Sequence, residues 1–271
     1  MNEPARPTTA LQPGPRQTTP SRPRPVVTIT IAVVTVVIYL IQLLTQNILG
    51  VDLPLAFGAK SNELIMQGQI WRLVTPIFLH LSPLHIAFNM YALLIFGGDL
   101  EFSYGRIRFF MLYMLSGIAG NVASFYFSPA DSAGASTAIF GLVAAQGVLV
   151  YRNREFFGSR ARPILMNILF IVAINLFIGA SSQGIDNWGH LGGLFGGLAF
   201  AWFAGPLYKR ETVVLNYGGA TAPSNPTLET PLPQLAVRLV DQVGTSQAWL
   251  VAGIELFVLG GLTIVRILKV V

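Results

Sequence analysis

The chain carries three histidines, His80, His85 and His190. Two lie five residues apart, where a polar connection gives way to an apolar run. The third lies near the start of another apolar run. Burying an ionisable group in an apolar span is costly, so a histidine there is more often functional than incidental. Imidazole serves either as a proton carrier or as a metal ligand. Cysteine is absent, which excludes thiolate metal sites, cysteine nucleophiles and disulfides. A three-histidine metal site fits poorly: a spacing of five does not share one helical face, and few carboxylates lie nearby. Asn89 follows His85 by four residues and shares its face. Ser136 opens the apolar segment GASTAIFG. Taken singly, Ser136 is better read as bonding back to its own helix, and Asn89 as a polar contact between helices. Taken together, these groups lie at the starts of three separate apolar segments, a pattern that needs a joint explanation.

The segments that must position them are membrane spans. Hydrophobic residues make up 53% of the 271 positions and charged residues only 11%, against about 25% charged in a typical soluble domain. Twelve acids and 17 basic residues cannot coat a soluble globule of this size. Seven runs approach the roughly 20 residues a helix needs to cross the hydrocarbon core. They fall at about 26–45, 83–100, 108–127, 135–151, 163–181, 187–205 and 247–267. The expected organisation is an all-α polytopic helical bundle of six spans (26–205), then a polar linker (206–246) and a seventh helix (247–271). The Pro-, Thr- and Arg-rich residues 1–25 read as a disordered cytoplasmic tail. Residues 46–82 read as a long first loop lying partly in the membrane interface, where Trp71 and Arg72 are comfortable.

With the N-terminus cytoplasmic, 13 of the 17 Lys and Arg residues fall on inside segments. Four (Lys60, Arg72, Arg266 and Lys269) fall outside, as the positive-inside rule requires. Arg266 and Lys269, at an outer end, fit this least well. The scatter of basic residues between apolar runs matches a topology signal rather than a nucleic-acid patch. In this orientation spans two, four and six all run from outside to inside. His80, His85 and Asn89, then Ser136, then His190 therefore share one depth. Gly193 and Gly197 lie on the face of His190, and Gly141, Ala144 and Ala145 on or beside the face of Ser136. Such small-residue stripes let helices approach closely, and their docking would bring Ser136 within hydrogen-bond reach of His190.

Several of these features resemble one family in order and spacing. They are Trp71-Arg72, the His80-x4-His85-x3-Asn89 pattern, Gly97-x3-Glu101 with the YGRIRF stretch, Gly134-Ala135-Ser136, and GHLGGLFGG around His190. Together they resemble the rhomboid intramembrane serine proteases over about residues 48–205, in the family's six-plus-one variant. The resemblance implies a Ser136–His190 dyad without cofactor or metal. Ser136 would be the nucleophile and His190 the general base and then acid. His85 and Asn89 would stabilise the oxyanion with the Ser136 backbone N–H. His80 would play a supporting part, and Phe140 would stack on the catalytic imidazole. Trp71 and Arg72 would be structural. Asp186, four before His190, is expected to cap a helix rather than complete a triad.

Two departures stand out: Thr137 where the family has Gly after the nucleophile, and Gly189 where it often has Ala. Thr137 is expected to narrow the substrate site or shift the oxyanion pocket. Ser128, Asp131, Ser132, Ser181, Ser182, Gln183 and Asp186 are candidates to line a water path. Span five, with Asn167 and Asn175, is the candidate gate by resemblance. Glu255, inside the seventh span, is expected to make a buried structural hydrogen bond. The implied partners are transmembrane protein substrates and the lipid bilayer of a plasma membrane. A catalytically inactive relative that binds or escorts membrane proteins is the competing reading, motivated by Thr137.

Overall fold

The structure is a computed structural model and describes residues 24–182, 184–215 and 234–269. The expected tail therefore lies almost wholly outside the described residues, as does Gln183. Seven long helices occur where seven apolar runs were read. They are α1 (Val26–Leu49), α4 (Pro83–Tyr104), α5 (Arg106–Phe127), α6 (Ser136–Arg152), α8 (Ala161–Ser181), α9 (Asn187–Ala204) and α10 (Thr245–Leu268). Short helices α2 (Leu53–Gly58), α3 (Asn62–Met66) and α7 (Arg154–Phe157) lie in the connections. By length and apolarity, α1, α5, the 154–181 stretch containing α8, and α10 could each cross a bilayer. The other three, α4, α6 and α9, are shorter or more polar and carry the residues singled out above.

The centre of the bundle is α6, buried nearly all round and packed between α5 and α9. Glycine makes that packing possible. A Cβ on Gly197 would lie 2.5 Å from the Gly141 carbonyl oxygen, and one on Gly120 would lie 2.6 Å from the Gly189 carbonyl oxygen. Leu93, Leu112, Tyr113, Leu142 and Phe200 fill the core around this contact. By contrast, α8 buries only Ala161, Ile168 and Gly179. It touches α6 more than α9, and its remaining surface is mostly apolar, interrupted by Asn167 and Asn175.

Polar side chains fix the ends of the helices. Glu101 on α4 is buried and accepts from the N–H groups of Val27 and Thr28 at 2.9 and 2.8 Å, and from the Thr28 hydroxyl at 2.8 Å. Its carboxylate thus satisfies donors at the positive end of the α1 dipole. Gly97 clears the space: a Cβ there would lie 2.7 Å from Thr28 Cγ2. The Gly97-x3-Glu101 spacing is the socket for the start of α1.

At the other end of α1, Gln42 clasps the first loop. Its amide nitrogen donates to Asp52 at 2.8 Å and to the His80 carbonyl at 3.1 Å, and its oxygen accepts from the His80 N–H at 3.1 Å. Arg72 is buried and donates to the Ala59 and Ala56 carbonyls at 2.7 Å each. These are carbonyls that the short helix α2 leaves unpaired. Trp71 donates to the Phe57 carbonyl at 3.1 Å. The expected structural part of this pair is thus a scaffold for the first loop.

Within the expected linker 206–246, residues Tyr208–Leu215 (β1) and Gln234–Asp241 (β2) pair as an antiparallel hairpin, with Glu211 opposite Arg238. Strand-forming runs such as TVVL and AVRLV explain it; prolines between them masked the signal in the sequence. Arg108 anchors the hairpin, donating to Asp241 at 2.6 Å and to the Val243 carbonyl at 3.0 Å.

The structure corrects the expectation for Glu255. Neither carboxylate oxygen has a hydrogen-bond partner among the described residues. The side chain lies over Gly196 of α9. Arg266 is accommodated instead by aromatic rings: its guanidinium lies 5.7 and 5.2 Å from the ring centroids of Phe125 and Tyr126.

Candidate active site

The starts of α4, α6 and α9 meet at one end of the bundle. Ser82 caps α4, accepting from the His85 N–H at 3.2 Å, and Pro83 occupies the first turn, where its missing N–H costs nothing. Asp186 caps α9, accepting from the Gly189 N–H at 2.9 Å; its second oxygen accepts from the Ser124 hydroxyl in a short contact. The carboxylate is therefore engaged by these two donors, in keeping with the expected capping part. Ser136 is the first residue of α6, so its backbone N–H points into the turn before the helix.

Ser136 Oγ lies 2.9 Å from His190 Nε2. Phe140, one turn after Ser136, stacks on His190 with ring centroids 4.3 Å apart and planes 11° from parallel. His190 Nδ1 has no hydrogen-bond partner among the described residues. When Nε2 accepts the serine proton's hydrogen bond, Nδ1 carries the other ring proton. Among the described residues no carboxylate is hydrogen-bonded to the imidazole. The close α6–α9 packing, through Gly141, Gly193 and Gly197, is what brings the two residues together.

Opposite the pair stand His85 and Asn89. Gly134, two residues before Ser136, has φ +148°, and a Cβ there would lie 2.8 Å from His85 Nε2 and Cε1. Glycine is needed on both counts, conformation and space. Asn89 is buried and donates one amide N–H to the carbonyl of His85 at 2.8 Å, which leaves its second N–H for a ligand. His80 is almost fully buried, its ring 5.0 Å from that of His85 in an edge-to-face contact. Its Nε2 accepts from the Ala135 N–H at 3.5 Å. Burial, with a smaller contribution from neighbouring His85, pushes His80 down to about 3, so it is neutral at pH 7.

A cavity of about 640 Å³ joins these groups. Its walls include His85, Asn89, Gly134, Ser136 and His190, and it opens between α4 and α8 past Phe88, Ala92, Asn175 and Ile178. Of the residues expected to line a water path, Ser132 and Asp186 border the cavity. Asp131 lines a separate pocket beside it. The Ser181 hydroxyl is turned back to the Phe177 carbonyl at 2.9 Å. Of the two asparagines on α8, Asn175 lines the cavity and Asn167 is exposed elsewhere.

Thr137 is one of the residues that line the cavity, so its added volume borders the site. It is buried, and its side chain is directed at Gly120 and Gly189: a Cβ on Gly120 would lie 2.6 Å from Thr137 Cβ, and one on Gly189 would lie 3.1 Å from Thr137 Cγ2. The two departures are neighbours in space. Volume gained at 137 faces the position where volume is missing at 189.

A bundle whose central helix starts with a serine hydrogen-bonded to a histidine on the adjoining helix agrees with the comparisons to known proteins. Residues 67–207 match the family described as "Rhomboid domain". The "Rhomboid protease GluP" of Bacillus subtilis is 51% identical over 142 residues, covering 52% of this chain and 27% of that protein. "Rhomboid-like protease 1" of Toxoplasma gondii is 37% identical over 158 residues, covering 57% and 53%. "RHOMBOID-like protein 9, chloroplastic" of Arabidopsis thaliana is 36% identical over 158 residues, covering 58% and 36%. The chain thus spans between about a quarter and a half of the length of these relatives. It belongs to the rhomboid family of intramembrane proteases and is a multi-pass membrane protein.

Proposed function

We propose that the chain is an intramembrane serine endopeptidase that cleaves transmembrane segments of membrane proteins near the outer face of a plasma membrane. The observation that carries this reading is the 2.9 Å approach of Ser136 Oγ to His190 Nε2 on the wall of a cavity that opens sideways between helices. Ser136 gives its hydroxyl proton to Nε2 as Oγ attacks the scissile carbonyl. The oxyanion is met by the Ser136 N–H at the start of α6, by the ring N–H of His85 and by the second amide N–H of Asn89. Imidazolium then returns the proton to the departing amine as the C–N bond breaks. Water then attacks the acyl carbon as His190 takes its proton, and the imidazolium gives that proton to Ser136 Oγ as the acyl C–O bond breaks. Phe140 holds the imidazole plane throughout.

The cytoplasmic N-terminus of this reading rests on the basic residues, 13 on one side of the spans and 4 on the other. The competing reading, an inactive relative that binds membrane proteins, rests on Thr137, which borders the cavity while packing against Gly120 and Gly189.

The test uses detergent-solubilised protein, a fluorophosphonate probe and a model transmembrane substrate. Labelling and cleavage are expected in the parent protein and lost in both Ser136→Ala and His190→Ala. Cleavage that survives Ser136→Ala refutes the dyad, and loss on adding a chelator points to a metal. A folded parent protein inert in both assays favours the inactive relative.

A further inference from the structure

Lys60 is a fully buried lysine with no part in the chemistry above. It follows α2 in the first loop, and among the described residues its hydrogen bonds run to the segment that leads to Ser136. Its ammonium donates to the Ser128 carbonyl at 2.8 Å and to the Ala130 carbonyl at 2.9 Å. Its backbone pairs with Ser132 in both directions, N–H to carbonyl at 2.9 Å and carbonyl from N–H at 3.1 Å. Two residues further on, Gly134 donates to the Pro76 carbonyl at 2.9 Å. Residues 128–134 are thereby strapped to the first loop immediately before the peptide units that open α6. The Ser132 hydroxyl also lies 3.5 Å from that of Ser124, which holds Asp186 at the cap of α9. One network thus reaches the backbone before Ser136 and the turn before His190.

We propose that Lys60 is a positioning residue for the Ser136–His190 reaction, its ammonium fixing the 128–134 backbone so that the oxyanion-facing N–H of Ser136 is held in register with the dyad. This inference rests on the protease reading. Its physical basis is that a buried lysine is unfavourable unless its charge is used. Here two charge-assisted bonds to main-chain carbonyls use it. Burial lowers Lys60 to about 8. The charged groups facing it are Asp186 before α9 and Asp131 in the strapped segment, which favour its protonated form, and Arg266 on α10, which opposes it.

Lys60→Met keeps the side chain's length and apolar stem and removes the ammonium. With a transmembrane substrate, kcat is expected to fall by about tenfold, with KM unchanged, because ground-state binding in the cavity does not touch Lys60. The fluorophosphonate labelling rate should fall in parallel while the variant stays folded. A folded variant with parental kcat overturns the inference, as does a loss matched by the fraction unfolded. If the variant does not fold, the parent protein decides by its pH profile. Neutral Lys60 keeps its bonds but loses their charge assistance, which makes them roughly half as strong, so labelling should fall about threefold from pH 7 to pH 10, through about 8. Over that range the Lys60 contribution to stability rises, since the folded state binds fewer protons than the unfolded one between about 8 and 10.5. Alkaline loss therefore cannot be unfolding driven by this group, and a flat profile to pH 10 overturns the proposal. A parent protein that is not labelled at all refutes the protease reading instead.

Discussion

Gly189→Ala, made alone and in the company of Thr137→Ser, tests whether the two departures from the family pattern compensate. An added Cβ at 189 would lie 3.1 Å from Thr137 Cγ2, 3.0 Å from Asp186 Oδ2 and 3.1 Å from Asp186 Cγ. Each is tighter than ordinary van der Waals contact, so neighbours must shift by a few tenths of an ångström. Overpacking of this kind costs about 1–3 kcal/mol. Thr137→Ser alone removes the opposing methyl and leaves a small void against Gly189 and Gly120, at about 1 kcal/mol. In the double variant the new methyl occupies part of that void. The Thr137 clash disappears and the Asp186 contact remains. The pair should therefore be less destabilised than the sum of its parts by about 1 kcal/mol, a coupling of the size seen for touching residues. Thermal unfolding in detergent reads this as a double-variant Tm roughly 2–4 °C above the additive expectation. Cleavage should follow the same order, since Gly189 directly precedes His190. Additive losses, or a double variant worse than the sum, would refute the idea that volume at 137 and 189 is shared.

Three further outcomes follow from the geometry. Gly134→Ala combines a φ of +148° with a Cβ 2.8 Å from His85; cleavage should fall by at least tenfold and Tm should drop, backbone strain of this kind costing about 1–3 kcal/mol, and parental activity would show that His85 does not need that clearance. Phe140→Leu keeps an apolar side chain but removes the 4.3 Å stack on His190; an aromatic contact of about 0.5–1.5 kcal/mol predicts a fall in kcat of up to about tenfold. Glu101→Gln keeps shape but removes the charge accepting three hydrogen bonds from Val27 and Thr28; a loss of about 1.5–3 kcal/mol should appear as a lower Tm with substrate KM unaltered.

What the sequence revealed and what it hid have physical reasons. Apolar runs placed all seven long helices because a span must be both long and apolar. The sharing of one end by Ser136, His190, His85 and Asn89 followed from counting crossings. The side of the helix on which Thr137 sits was not legible: one residue after Ser136 is about 100° round the helix, which turns it towards α5, and only the packed bundle shows that Gly120 and Gly189 wait there. Lys60 was counted merely as an outside charge, because its partners are main-chain carbonyls some 70 residues away and leave no mark in residue types. Glu255 misled in the opposite direction. A buried carboxylate implies a donor by general rule, yet among the described residues neither Glu255 oxygen is hydrogen-bonded.

The near-contact of α6 and α9 backbones through Gly141 and Gly197 also bears on how this protein can change over evolutionary time. With no side chain between the two helices, there is nothing there to exchange for something larger, and the dyad's geometry is closed to gradual variation. The mouth of the cavity is the reverse. Phe88 is 70% exposed and Ile178 48%, so both can be replaced with little effect on the fold. On the protease reading, preference for one substrate over another can therefore drift at the rim, residue by residue, while the Ser136–His190 spacing is inherited unchanged.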